Sequence, residues 1–148
     1  MGLKAMNWGA RIALILMLIE AIGSMIMGFS YILKPSLTPY HESIMGQKYE
    51  DLAPGVQKII TILKGGTGHG GIQNGLILML LLFVPFWRKH SWTRWGIPLA
   101  DLIHRLPFLT VALISAISTG ASTPWQIQLY GIVASILFFI LTSKYLAK

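Results

Sequence analysis

The side chains of this sequence that could do chemistry are concentrated in long apolar runs. Glu20 lies in one such run, and Asp101, His104 and Arg105 lie together in another. Asp101 and Arg105 are four positions apart, so they share one face of a helix, and His104 lies three positions after Asp101. Ionisable side chains are costly inside a membrane and are candidate functional residues there. These four residues, hereafter the charged cluster, form the predicted ligand or proton site.

The members of the charged cluster are predicted to lie at similar depth. At the helical rise, Glu20 lies about 13 Å beyond Arg11, and His104 lies about as far beyond Trp95. The side chains can therefore meet if the two helices are neighbours. Pro107 cannot donate a backbone hydrogen bond and bends its helix beside His104. Such distortion at membrane depth is tolerated where the backbone is buried in protein or lines a cavity.

Three interpretations of the charged cluster remain open. Glu20 and Arg105 could form a structural ion pair that fixes two helices. Glu20, Asp101 and His104 have ligand types that suit a metal, but His69 is about 13 Å away along the membrane normal, so a second histidine is missing. The third interpretation is a pocket that binds a proton or a ligand. We predict no metal, no cofactor and no catalytic residue.

A second polar group is predicted near the opposite face of the membrane. His69 lies about 27 Å from Trp87 along its helix, and the neighbouring amides lie close to that depth. The members of this outer polar layer are His69, Gln73, Asn74 and Gln128.

Glycine spacing in the stretch KGGTGHGGIQNG predicts close helix packing. Gly66 and Gly70 have the GxxxG spacing that lets helix backbones approach each other, and so do Gly71 and Gly75. The stretch is not a phosphate-binding loop, because no strand precedes it and the GxxxxGK[ST] pattern is absent.

Composition assigns these features to an integral membrane protein. Apolar residues make up 54% of the 148 residues and charged residues only 11%, whereas soluble domains carry about 25% charged residues. The net charge of +7 indicates anchoring of membrane helices on the cytoplasmic side, and we do not expect a nucleic-acid partner. The sequence has no cysteine, which excludes disulfides, thiolate zinc sites and cysteine nucleophiles.

Four apolar spans are predicted in a single all-α domain covering residues 1–148. They form an antiparallel four-helix bundle, at about 11–33, 62–87, 96–118 and 124–142. Residues 34–58 are too polar to cross and are predicted to form an ordered external loop, with a short amphipathic piece around His41–Tyr49. The first span is too long for a cleavable signal peptide and is expected to be retained. Thr123 and Pro124 form a helix-start signal for the last span.

Basic residues predict the orientation of the spans. Seven lysines and arginines fall on the side of the two termini, whereas the connection at 119–123 is uncharged and the 34–58 loop balances its lysines with acidic residues. Both termini are therefore expected in the cytoplasm, in a multi-pass protein of a bacterial inner membrane. The seven residues are Lys4, Arg11, Arg88, Lys89, Arg94, Lys144 and Lys148.

Short phrases of the sequence have a familiar layout. They are PYHESIMGQKYEDLAPGVQ at 39–57, the glycine-rich entry to the second span, PFWRKHSWTRWGIP at 85–98 and TGASTPW at 119–125. With the four spans, they make the chain resemble small bacterial four-helix membrane proteins of the DoxX/DUF4345-like kind. The resemblance implies a topology and no biochemistry, and no functional residue is transferred from it.

Two functions are compatible with these features. The first is a protein without catalytic activity that binds a protein partner or an apolar or lipid ligand, as an accessory subunit or a homo-oligomer. The extramembrane segments are too small for a catalytic domain, and the glycine faces offer helix contacts. The second is an intramembrane enzyme or a proton-linked small-molecule carrier that uses the charged cluster. Four helices are few for a carrier, so this alternative requires a dimer.

Overall fold

The protein is all-helical throughout the part that the structure, a computed structural model, describes: residues 6–34 and 36–146. Six α-helices are joined by short turns, and no β-strand occurs in these residues. A 3-10 turn covers Tyr49–Asp51 and a π-helical segment covers Leu82–Phe86. The α-helices are α1 Trp8–Leu33, α2 Pro39–Met45, α3 Pro54–Leu81, α4 Thr93–Thr119, α5 Trp125–Leu141 and α6 Ser143–Leu146.

Three segments are long and apolar enough to cross a membrane. They are α1 with 26 residues, α4 with 27 residues, and α3 together with the π-helical segment, Pro54–Phe86, with 33 residues. This confirms the prediction of a helical protein with segments that are able to span a membrane. α5 is apolar but shorter, with 17 residues. The fourth membrane span therefore stays a prediction.

The structure corrects one predicted helix boundary. α3 starts at Pro54 and so extends eight positions beyond the predicted apolar span, because proline is favourable in the first turn after Ala53. The predicted cap of the last span was wrong: α5 starts at Trp125, and Pro124 precedes it as the N-cap. The Thr123 hydroxyl instead donates a 2.9 Å hydrogen bond to the carbonyl of Ala112 in α4.

α1 and α3 pack closely along a glycine seam. A Cβ added to Gly68 would lie 2.7 Å from the Gly28 carbonyl, and one added to Gly71 would lie 3.0 Å from the Ser24 carbonyl. A Cβ at Gly75 would overlap the backbone of α1 as well. The contact face is therefore Gly68, Gly71 and Gly75, whose spacing of three and four residues keeps them on one side of α3.

Gly66 and Gly70 are not part of this seam, and their predicted role in helix packing is corrected. A Cβ at Gly66 would have no neighbour within 4 Å, and one at Gly70 would meet only the His104 ring at 3.9 Å. The GxxxG spacing occurs twice in the stretch, but only the second pair lies on the face that α1 covers.

The four long helices enclose a common interior. α1 packs against α3 and α5, and α4 packs against the same two helices, so α1 and α4 lie across the interior from each other. The interior is filled with apolar side chains at the end that also holds Met6 and Tyr145. The largest of these fully buried apolar side chains are Met17, Leu78, Leu82, Phe86, Ile97 and Phe138.

α2 covers the other end of the interior. It begins two positions before the predicted amphipathic piece and ends at Gly46, whose left-handed φ of 69° turns the chain away. The hydroxyls of Tyr31 and Tyr40 are hydrogen-bonded to each other, and the Lys64 ammonium donates to the carbonyls of Lys34 and Ser36. These contacts tie the loop to the ends of α1 and α3.

Candidate functional site

Asp101 is the buried anchor of the charged cluster. Its carboxylate has no exposed surface; Oδ2 accepts hydrogen bonds from Arg105 Nε at 2.9 Å and from the Ser135 hydroxyl at 2.8 Å. Oδ1 accepts a bond from the Asn74 amide at 3.3 Å. Three donors from three helices stabilise the charged form of a buried carboxylate, which would otherwise be costly.

Arg105 joins three of the four long helices. Its guanidinium forms an ion pair with Asp101 of its own helix through Nε and a second ion pair with Glu20 of α1 through Nη2. Its Nη1 donates to the Gln128 side-chain oxygen of α5 at 3.3 Å. Because α1 and α4 lie across the interior from each other, this one long side chain bridges a gap that the backbones leave open.

Gly131 provides the space that Arg105 occupies. A Cβ at Gly131 would overlap the Nε and Cζ atoms of Arg105. Gly131 and Ser135 are four residues apart on α5, so one face of that helix gives room to the guanidinium and a hydroxyl to Asp101. Sequence reasoning missed both residues; their small-xxx-small spacing in an apolar helix was the signal that could have found them.

The side-chain hydrogen bonds of the buried interior are complete. No buried side-chain nitrogen or oxygen in the described part of the chain lacks a hydrogen-bond partner. The Ser24 hydroxyl donates to the Gly71 carbonyl at 2.9 Å and accepts from Asn74 at 3.4 Å, so the polar network extends from the charged cluster to the glycine seam. This completeness favours one fixed arrangement of the four helices.

A cavity of about 520 Å³ opens above the charged cluster. Its volume lies in the range of about 300–1,000 Å³ that is typical of sites for small molecules. Glu20, His104, Arg105 and Gln128 form its floor. Leu37, together with Tyr40, His41 and Ile44 of α2, forms its roof. Its walls are mainly apolar, and include Ile19, Met27, Leu63, Phe108, Val111 and Ile127.

Two floor residues keep unused hydrogen-bonding capacity in the described part of the chain. Glu20 accepts from Arg105 through Oε2, and its Oε1 has no hydrogen-bond donor among these residues. The His104 ring packs on Phe108 with ring centres 5.0 Å apart, and neither of its nitrogens is hydrogen-bonded to a described residue. Both groups line the cavity, so a bound molecule can reach them.

The roof is held by a cluster of rings. The Tyr40 and His41 rings lie 3.9 Å apart, and Tyr31 meets His41 edge-on at 5.8 Å. Thr38 Oγ1 and His41 Nδ1 share a 2.5 Å hydrogen bond. Burial, and then the positive charge of Lys64, lower the pKa of His41, while burial and the Tyr31 hydrogen bond raise the pKa of Tyr40.

The structure divides the predicted outer polar layer. Asn74 and Gln128 point inward, where they bind Asp101 and Arg105. His69 and Gln73 are exposed on the outer face of α3, and His69 Nδ1 is 2.8 Å from the Gly65 carbonyl of its own helix. The four residues therefore do not form one layer.

The charged cluster itself is brought together as an ion-paired site. Asp101, Arg105 and Glu20 are in direct contact, and His104 lies on the same cavity floor without a bond to them. Within the described ranges, histidine, aspartate and glutamate side chains form no group of three or more that could hold a metal ion.

Comparisons with known protein families, characterised proteins and solved structures found no significant match to this chain. The resemblance to DoxX-like proteins stays a prediction from the sequence.

Proposed function

We propose that the chain is a four-span protein of a bacterial inner membrane, with both termini in the cytoplasm and residues 34–58 outside. α5 would measure about 25 Å at the helical rise, which is within reach of a hydrocarbon core of about 30 Å. Arg88 and Lys89 lie in the turn before α4, and Lys144 lies in the short helix α6 that follows α5. Positive charge favours the cytoplasmic side. Lys4 and Lys148, which support the same orientation, lie outside the described residues.

The function that we propose is the binding of an apolar or lipid-like ligand in the cavity, without catalysis. The observation that carries the proposal is the lining of this cavity, which has a volume of about 520 Å³: the lining is mainly apolar, and its charged side chains lie at the floor and near the roof. Apolar walls provide affinity, and a few placed polar groups orient a ligand.

Association with other membrane proteins, or with a second copy of the chain, is part of the same proposal. The extramembrane segments are short, and the outer face of α3 exposes His69 and Gln73 beside Gly66. Polar side chains that face lipid are costly, so a protein contact on this face would be favourable.

The test of ligand binding is a pair of glycine variants. Gly23 lines the cavity, Gly65 does not, and a Cβ at either position would have no neighbour within 4 Å. We expect Gly23→Phe to lose the small molecules that copurify with the protein, because the ring occupies the cavity. Gly65→Phe should retain them. Native mass spectrometry of protein released from nanodiscs measures both, and equal retention by the two variants would contradict the proposal.

The second candidate is a proton-linked carrier or an intramembrane enzyme that uses the charged cluster. The observation that favours it is the exposure of Glu20 and His104 to the same cavity, on a floor fixed by Asp101 and Arg105. Proteoliposomes separate the two candidates, because a carrier acidifies or alkalinises the lumen when its substrate is added and a binding protein does not.

A further inference from the structure

We propose that the cavity selects ligands whose apolar chain ends in a protonated amine, with the ammonium held at the floor by Glu20. This inference rests on the proposed ligand-binding function and names the chemical class of the ligand. It is carried by the bonding state of the floor residues, by their charge balance and by the distribution of polar groups along the cavity.

The positive charge on the floor is already engaged. Arg105 is 5% exposed, and each of its three nitrogens donates to a different side chain: Nε to Asp101, Nη1 to Gln128 and Nη2 to Glu20. Three of its five N–H donors are used in this way, and its charge is already paired with two carboxylates, which would repel a carboxylate or phosphate head. The floor is therefore poorly suited to an anion.

The negative charge on the floor is in excess. When both carboxyls are ionised, Glu20 and Asp101 carry two negative charges against the single guanidinium of Arg105. Asp101 is fully buried and receives three hydrogen bonds, so the unbalanced charge is presented to the cavity by Glu20. Charges attract strongly where water is excluded, and a ligand cation would restore neutrality.

The spare atoms on the floor are suited to a donor head. Oε1 of Glu20 can accept a hydrogen bond, and so can whichever ring nitrogen of His104 lacks a proton. An ammonium has three donors and no acceptor, so it can use both groups at once. A hydroxyl has one donor and carries no charge, so it satisfies the floor less well.

The rest of the cavity suits an alkyl chain. From Glu20 to Tyr31, the cavity follows α1 for about 16 Å at the helical rise. Two hydroxyls along this path are already bonded within the protein: Ser24 donates to Gly71, and Thr67 donates to Leu63. Lys64 lies at the opposite end, where it donates to loop carbonyls, so its charge is far from the floor.

The experiment compares three probes that share one chain: dodecylamine, dodecanol and dodecanoate. Each is titrated into the full-length protein in nanodiscs of zwitterionic lipid, and the shift in Tm gives an apparent Kd. We expect dodecylamine to bind more tightly than dodecanol by about tenfold, since a charge-assisted hydrogen bond is worth at least that factor. Dodecanoate should bind most weakly.

Two variants test the role of Glu20. Glu20→Gln should reduce the affinity for dodecylamine to that for dodecanol, while dodecanol binding stays unchanged. Glu50→Gln removes the same charge from an exposed residue outside the cavity and should leave the preference intact. The order of the three affinities is measured on the parent protein. It therefore tests the preference for an amine even if Glu20→Gln does not fold.

The outcomes separate this inference from the proposed function. Binding of dodecanol or dodecanoate as tight as that of dodecylamine would overturn the amine selectivity and leave ligand binding standing. The same conclusion follows if folded Glu20→Gln keeps the full preference for the amine. If none of the probes shifts Tm and Gly23→Phe copurifies with the same molecules as the parent, the cavity is not a ligand site and both proposals fail.

Discussion

At the scale of single residues, the charged cluster contains one arginine that forms ion pairs with two carboxylates. Asp101 and Glu20 both bind Arg105, but they differ in environment: Asp101 is fully buried, and Glu20 faces the cavity. Asp101 therefore holds the arginine, and Glu20 is the member that a ligand can contact. The consequence is that the three charged residues should respond differently to substitution.

Loss of Arg105 should harm the protein more than loss of the Glu20 charge. Arg105→Leu leaves two carboxylates in the interior, and breaking such a buried pair costs about 3–5 kcal/mol, part of which other polar partners in membranes recover. Glu20→Gln removes the excess charge, so it should fold. Expression level and Tm in detergent measure both, with Arg88→Leu as the exposed control. An Arg105→Leu variant as stable as the parent would contradict the paired interior.

Gly131 should tolerate no side chain, because Arg105 fills the space beside it. Gly131→Ala places a Cβ on the guanidinium, and such overpacking costs about 1–3 kcal/mol. Gly23→Ala is the matched control: its Cβ has no neighbour within 4 Å, and alanine favours the helix by up to about 1 kcal/mol. The free energy of unfolding should fall for the first and hold or rise for the second. Equal effects would mean that Arg105 does not depend on this space.

At the scale of helices, the glycine seam decides how close α1 and α3 come. The same stretch of α3 carries glycines on two faces, and the seam uses Gly68, Gly71 and Gly75. The close approach of the two helices also brings Ser24 within hydrogen-bonding distance of Asn74, which in turn donates to Asp101. Helix packing is thereby connected to the polar network around Asp101.

A leucine in the seam should separate the two helices. Gly71→Leu forces a side chain against the α1 backbone near Ser24 and Gly28, so we expect a large loss of Tm or of folded protein. Gly66→Leu has the same change in composition on an open face, and its Tm should stay close to that of the parent. The comparison fails to support the seam if both variants melt alike.

Docking of α2 over the cavity should weaken in acid through His41. Because burial and Lys64 lower its pKa in the folded protein, neutral His41 contributes stability in full above its unfolded pKa of about 6.5. That contribution is lost as the pH falls through the folded pKa. Besides Lys64, the groups that face His41 are the Tyr31 and Tyr40 rings and the Thr38 hydroxyl.

Hydrogen exchange of the backbone amides of α2 that follow Pro39 measures this docking. At each pH, the parent is compared with His41→Asn, so that the intrinsic pH dependence of exchange cancels. Protection in the parent should decrease in acid relative to this variant. His90→Asn, at an exposed histidine outside the roof, should follow the parent. An unchanged difference across the titration would show that His41 does not control the roof.

At the scale of the whole molecule, the structure has a solid end and a hollow end. The solid end contains an aromatic core. The centre of the Phe86 ring lies 5.3 Å from that of Phe138 and 5.6 Å from that of Tyr145. The hollow end contains the cavity, with α2 over it. In the proposed orientation, this polarity would place the proposed ligand cavity on the side away from the cytoplasm.

Labelling from the two sides of the membrane tests the orientation. The sequence has no cysteine, so single cysteines at Ser36 and Ser91, both exposed, give clean signals with an impermeant thiol reagent. We expect Ser36→Cys to be labelled from outside in intact spheroplasts, and Ser91→Cys only after the membrane is opened. Labelling of both from one side would contradict the four-span topology.

The sequence by itself determined the features that depend on composition and local spacing. A low content of charged residues and long apolar runs predict membrane helices, and the structure confirms a helical chain with three segments able to span. Spacing alone placed Asp101 and Arg105 on one helical face, where they form a 2.9 Å ion pair. Depth counting aligned them with Glu20, because the helical rise is nearly constant.

Only the tertiary structure decided which faces meet and what lies between them. Helical periodicity does not say which of two glycine faces a neighbouring helix covers, so Gly66 and Gly70 were assigned to a contact that Gly68 and Gly71 make. Ser135 and Gly131 have no charge to mark them, and their roles follow from the position of Arg105. The cavity is a property of four helices and a loop together, because its volume is what their packing leaves unfilled.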